Sequence, residues 1–190
     1  MSIVLNAVSW NQAWIMSDGL AMNYQTGEKI SGSLRKFEML NPQLCIGFTG
    51  TYETAQSLIN NLRTIFQNLE SATVEDAAIG SCEILKELKA HGSKNAQFVF
   101  TGLSKQGNFA SATLDDSLSS TLLIPDNGKI RTVILHKTGP VDFERNVEMF
   151  LQKGFPLNEA LRKGMAKTIQ KVSMNDKTVN RTTFFHTFTL

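Results

Sequence analysis

The sequence predicts an α+β domain, and three observations predict it. Short apolar runs separated by turn residues fill the first fifty positions. Two amphipathic helical patterns then follow back to back, over residues 51–69 and 74–90. A second strand-rich block and a second pair of helices complete the chain, which closes on an alternating Thr- and Phe-rich strand.

Residues 3–8 and 13–16 read as a hairpin turned by Ser9-Trp10-Asn11-Gln12 and leading into Ser17-Asp18-Gly19. After a polar, glycine-containing excursion come strands over 34–40 and 44–50, with Asn41-Pro42 between them, which deliver Gly50 to the mouth of a helix. That helix carries Ala55, Leu58, Ile59, Leu62, Ile65, Phe66 and Leu69 at helical spacing. Thr73 caps the next one, with Asp76 bonding back in a variant capping box, and His91-Gly92 ends it. Two adjacent helices of this length cover one face of a sheet.

Residues 97–103 and 109–114 form a hairpin across Gly107, and 119–124 and 130–135 flank Pro125-Asp126-Asn127-Gly128, whose Asn-Gly is a turn signal. This block forms a second sheet or the second half of a mixed pair. Helices over 141–153 and from 157 to about 172 follow, separated by Gly154. Residues 181–190 are the final strand, and His186 is assigned to its packing.

A chain of 190 residues with 42% hydrophobic and 19% charged residues makes one domain, 1–190, with a sizeable core. A net charge of +2 and the absence of a basic cluster interleaved with aromatics argue against nucleic acid and anionic membranes. Cys45 and Cys82 lie in apolar segments without metal or redox spacing, which fits a reducing cytoplasm. His91, His136 and His186 are scattered without ligand spacing, so neither a metal nor another cofactor is implied. There is no basic leader with an apolar core, no apolar run of membrane-spanning length, no phosphate loop and no Gly-x-Ser-x-Gly elbow.

The chemistry that the first fifty residues could serve uses the chain terminus. Ser2 is small enough to permit removal of Met1, which would place a hydroxyl and a free α-amine on one residue. Such an amine titrates at roughly 7.7–8.0 and can take the hydroxyl proton without a histidine. An ammonium nearby lowers that pKa further, and Lys36 oriented by Asp18 would supply one. The Gly50 N–H, just before a helix, could stabilise an oxyanion.

Ser2, Asp18, Arg35-Lys36-Phe37 and Gly47-Phe48-Thr49-Gly50 resemble, in order and spacing, the proteasome-type N-terminal-nucleophile (Ntn) hydrolases, which comprise the proteasome β subunits and HslV-like bacterial homologues. The distance from Ser2 to Asp18 matches without a gap, and a short insertion precedes Lys36. The resemblance implies a four-layer αββα sandwich of two antiparallel sheets between helix layers. It also implies a catalytic set of Ser2, Asp18, Lys36 and Gly50, with Phe48 at the substrate's S1 subsite. A Ser-Gly segment of the family falls on Thr138-Gly139, which keeps the hydroxyl; the same residues also read as a turn leading a helix. The family's aspartate and serine after the last long helix fall on Met174-Asn175-Asp176-Lys177-Thr178 in an open register: Asn175 with Thr178 keeps the spacing, Asp176 keeps the charge. Leu20 stands where the family usually has Arg or Gln.

The implied activity is peptide hydrolysis through an acyl-enzyme on Ser2, without propeptide processing because only Met1 precedes it. The implied setting is a cytoplasmic homo-oligomeric ring that confines peptide or unfolded protein, with an ATPase as regulator. Two alternatives stay open. One is a catalytically inactive proteasome-like subunit in which Met1 is retained. The other is an Ntn amidohydrolase acting on a small amide.

Overall fold

The strand runs of the first fifty residues are apolar on both faces because both faces are covered. In the computed structural model, which describes residues 2–23, 25–66, 71–136 and 141–190, β1 (Val4–Val8) is buried along its whole length. Its alternate residues reach two different cores: Leu5 and Ala7 face a helix layer, Val4 and Val8 face a second sheet. β2 (Gln12–Asp18) returns antiparallel, pairing Val8 with Ala13 and Val4 with Ser17. The turn is closed by the Ser9 N–H to the Gln12 carbonyl at 2.8 Å and by the Gln12 N–H to Ser9 Oγ at 3.1 Å.

Between Asp18 and the next long strand, β3 (Ala21–Met22) and β4 (Lys29–Ser31) form a small ribbon. β5 (Phe37–Asn41) and β6 (Leu44–Gly50) form the second hairpin. The expected strand over 34–40 begins only at Phe37, because the Leu34 N–H is taken by the Gly19 carbonyl at 2.9 Å. β7 (Ala96–Leu103), β8 (Phe109–Leu114) and β9 (Ser120–Leu123) extend this sheet in the order β5-β6-β7-β8-β9. At Gly47 of β6 an added Cβ would meet Ile15, Val4 and Val99 side-chain carbons at 3.0 Å, so the missing side chain lets the two sheets close on each other.

The Asn127-Gly128 turn is present, with Gly128 at φ +77° and the Lys129 N–H on the Asp126 carbonyl at 3.0 Å. Its flanking strands do not pair with each other. β9 ends the five-stranded sheet, whereas β10 (Arg131–Leu135) crosses to pair with β1, giving a four-stranded sheet in the order β10-β1-β2-β11. The crossing carries Val133 and Leu135 into the core between the sheets. All strand pairings among the described residues are antiparallel.

α1 (Tyr52–Phe66) and α2 (Val74–Ala90) cover the outer face of the five-stranded sheet through Leu58, Leu62, Val74 and Leu85. The expected end of α1, residues 67–69, lies outside the described residues. The capping box at Thr73 and Asp76 is formed from both sides. α3 (Phe143–Gln152) and α4 (Leu157–Asn175) cover the other sheet through Phe143, Leu161, Met165 and Ile169. α4 runs one turn further than its apolar pattern predicts, and β11 (Thr183–Thr189) then pairs with β2. Three apolar cores between four layers make an αββα sandwich.

The core between the sheets holds one polar knot. Asn6 Nδ2 donates to Thr101 Oγ1 at 2.8 Å and to the Trp14 carbonyl at 3.1 Å, and Ser111 Oγ donates to Asn6 Oδ1 at 2.6 Å. All three side chains are fully buried, so the knot ties β1 to β7 and β8 in register.

Candidate active site

The β1–β2 register sets Asp18 opposite the start of the chain. The Asp18 N–H donates to the Ile3 carbonyl at 3.2 Å, and the Ile3 N–H donates to Asp18 Oδ1 at 3.0 Å. Lys36 Nζ reaches the same oxygen at 2.7 Å, while the Leu20 N–H occupies Oδ2 at 2.9 Å. The carboxylate is therefore buried with donors on both oxygens, which is what an ionised group out of water requires.

Lys36 is held as firmly by its backbone. Its N–H donates to Ser17 Oγ at 3.2 Å, and its carbonyl accepts from the Phe48 N–H at 2.9 Å, so it sits on the seam between the two hairpins. Burial pulls its pKa below the ordinary lysine value, against the attraction and hydrogen bond of Asp18 and the more distant charge of Asp176.

Gly50 ends β6 at φ +99°, and a Cβ there would stand 2.6 Å from the Asn95 carbonyl oxygen and 2.9 Å from Ala96 Cα. Both the backbone conformation and the space call for glycine. The next N–H, of Thr51, is bonded to Asn95, and α1 starts at Tyr52. Phe48, two residues earlier, is 3% exposed in the core under α1, its ring 6.2 Å from that of Tyr52.

Asn175 and Asp176 are separated by the end of α4. Asn175 is exposed on its last turn, whereas Asp176 caps it, and Asp176 Oδ1 accepts from the Thr178 N–H at 2.8 Å and from the Thr178 hydroxyl. Asp176 and Thr178 are thus joined, and it is Asp176 whose charge acts on Lys36. Ser2 is buried just ahead of β1. Thr138, like Met1, lies outside the described residues. Leu20 is buried and contributes its N–H to Asp18.

Two residues at the site were not singled out from the sequence. Asn180 accepts from the Gly19 N–H at 2.9 Å and donates to the Gly32 carbonyl at 2.8 Å, bracing the segment after Asp18. His136 follows β10, and its Nδ1 lies 3.3 Å from the Ser2 carbonyl oxygen, with Nε2 3.9 Å from Asp176 Oδ2. Only the pairing of β10 with β1 brings it there. His186, by contrast, packs edge-on to Phe188 at 4.6 Å, as the sequence implies.

Two antiparallel sheets face to face, two helices on each outer side and a buried Asp–Lys pair beside the residues that lead into the first strand define a proteasome-like αββα fold. Solved structures agree with it. The chain superposes on eukaryotic HslV from Trypanosoma brucei with a TM-score of 0.70 over 99% of each chain, at 14% identity. For Anbu from Pseudomonas aeruginosa, solved as a helical assembly, the TM-score is 0.73 at 17% identity, over 98% of this chain and 81% of that one. For Anbu, the ancestral β-subunit, from Yersinia bercovieri it is 0.71 at 14% identity, with the same coverage. No family model matches the sequence, and no curated protein matches it. No described helix is long and apolar enough to cross a membrane.

Proposed function

We propose that this chain is a proteasome-like N-terminal-nucleophile peptidase that cleaves peptide bonds through an acyl-enzyme on Ser2 after Met1 is removed. The observation that carries this reading is the shared Asp18 oxygen: one carboxylate oxygen holds both the Ile3 N–H and Lys36 Nζ, which fixes the chain start against a buried ammonium.

In the reaction, Ser2 Oγ attacks the scissile carbonyl and its proton passes to the α-amine of the same residue. Lys36 keeps that amine's pKa low by like-charge repulsion, and Asp18 holds Lys36 in place. The Gly50 N–H faces the developing oxyanion, and Asp176 with Thr178 and Thr138 orients the terminal amine. The amine then protonates the leaving nitrogen as the C–N bond breaks. A water molecule attacks the ester, gives its proton to the amine and releases the acid, and Ser2 Oγ is reprotonated. Phe48 forms the floor of an apolar subsite.

The protein works in the cytoplasm as a homo-oligomer confining peptide or unfolded protein, with an ATPase as regulator; the helical assembly of the Anbu neighbour supports self-association. The test is intact mass and N-terminal sequencing of untagged protein incubated with a peptide epoxyketone. The expected product lacks Met1 and carries one inhibitor mass that Ser2→Ala abolishes. Protein that keeps Met1 and takes no label refutes the reading and leaves a non-catalytic proteasome-like subunit. Protein that loses Met1, ignores peptides and hydrolyses small amides is the amidohydrolase instead.

A further inference from the structure

The peptide group between Ser2 and Ile3 is gripped at both polar ends. Its N–H is held by Asp18 Oδ1 at 3.0 Å, and its carbonyl oxygen lies 3.3 Å from His136 Nδ1. Because a peptide unit is planar, fixing its N–H and C=O fixes the Ser2 Cα as well. What remains free at Ser2 is rotation about Cα–C and about Cα–Cβ, the two motions that aim its amine and hydroxyl.

We propose that His136 is a positioning residue for Ser2, pinning the Ser2 carbonyl through Nδ1–H. This rests on the reading of Ser2 as the nucleophile. A carbonyl oxygen can only accept, so Nδ1 carries the hydrogen. The ring's other nitrogen lies 3.9 Å from Asp176 Oδ2, too far for a hydrogen bond. The ring is buried, with its side chain 1% exposed. Asp176 is anchored by Thr178 on its other oxygen, and its charge and that of Asp18 act on Lys36. The end of β10 thereby acts on the residue that leads into β1, more than a hundred positions away in sequence.

Three substitutions separate this role from packing. The Nδ2 of Asn occupies the place of histidine Nδ1, whereas the Nε2 of Gln occupies the place of histidine Nε2. The readout is the first-order rate of epoxyketone labelling at saturation, together with the inhibitor concentration that half-saturates it, for His136→Asn, His136→Gln and His136→Ala. His136→Asn should label within about threefold of the wild type, and the other two should lose about tenfold or more in rate with the half-saturating concentration unchanged, the size of one lost hydrogen bond. Thermal melts confirm that each variant is folded, and if His136→Ala is not, the Asn and Gln variants decide. Equal rates for Asn and Gln variants, or an undiminished Ala variant, overturn the proposal.

A second measurement does not depend on Ser2 being reactive. In the wild type, 15N NMR of the imidazoles at pH 8 should show His136 with the hydrogen on Nδ1. The Nε2–H form overturns the proposal. A wild type that takes no label defeats the reading of Ser2 as nucleophile, and the tautomer alone then decides whether His136 holds the Ser2–Ile3 peptide.

Discussion

Asp18→Asn should cost more than Lys36→Met, although the two residues share one contact. Asp18 accepts from Ile3, Leu20 and Lys36 and is fully buried. An asparagine there keeps one accepting oxygen and turns an NH2 toward either Leu20 or the Ile3–Lys36 side, opposing donor to donor, and it leaves the Lys36 ammonium without its counter-charge. Breaking a buried pair from this side costs about 3–5 kcal/mol. Lys36→Met also leaves a buried charge without its partner, but the carboxylate keeps two of its three donors, so its cost lies at the lower end of that range, about 3 kcal/mol. Against a total of about 5–15 kcal/mol for a domain, both are measurable by urea unfolding, and the first threatens folding itself. Lys36→Met costing as much as Asp18→Asn, or Asp18→Asn lying within about 1 kcal/mol of wild type, would refute this account of the site. The same pair predicts a pH dependence. Folded Lys36 has a lowered pKa, so between that value and the ordinary lysine value of 10.5 the unfolded chain binds more protons than the folded one. Stability therefore rises with pH through that window and falls again as pH drops through the folded pKa. Relative to Lys36→Met, the wild type should gain as pH approaches 10.5, and urea midpoints that move in parallel for the two proteins would contradict it.

Two further substitutions probe the frame around the site. Gly50→Ala forces a side chain into φ +99° and against Asn95 and Ala96 backbone atoms, so it should destabilise by about 2–3 kcal/mol and slow labelling of Ser2; an unchanged melting temperature would show that the strand end relaxes freely. Asn6→Ala strands Thr101 and Ser111 inside the sandwich and should cost about 2–3 kcal/mol without altering Ser2 reactivity per folded molecule, measured by denaturation and labelling together.

Much of the fold was legible because its strands and helices carry their own local signals. The opening hairpin, the capping box at Thr73 and Asp76 and the paired helices follow from periodicity and turn chemistry, which act over a few residues. The Asn127-Gly128 turn was equally visible, but which sheet each neighbour joins was not. A turn signal fixes local backbone direction, whereas the partner of β10 is decided by the vacant edge of β1 and the apolar core that Val133 and Leu135 fill.

The site divides along the same line. Ser2, Asp18, Lys36 and Gly50 lie on two adjacent hairpins, so order and spacing in the chain were enough to put them forward as a set. The tertiary structure decided what closes around them. Asp176 is the residue of this pair whose charge acts on Lys36, and it falls at the cap of α4 because the helix continues one turn past its apolar stripe. His136, which spacing alone left among scattered histidines, reaches the Ser2 carbonyl because β10 pairs with β1 across more than a hundred residues of chain. Contacts of that range depend on how layers stack and edges pair, and these are properties of the assembled sandwich that no local pattern encodes.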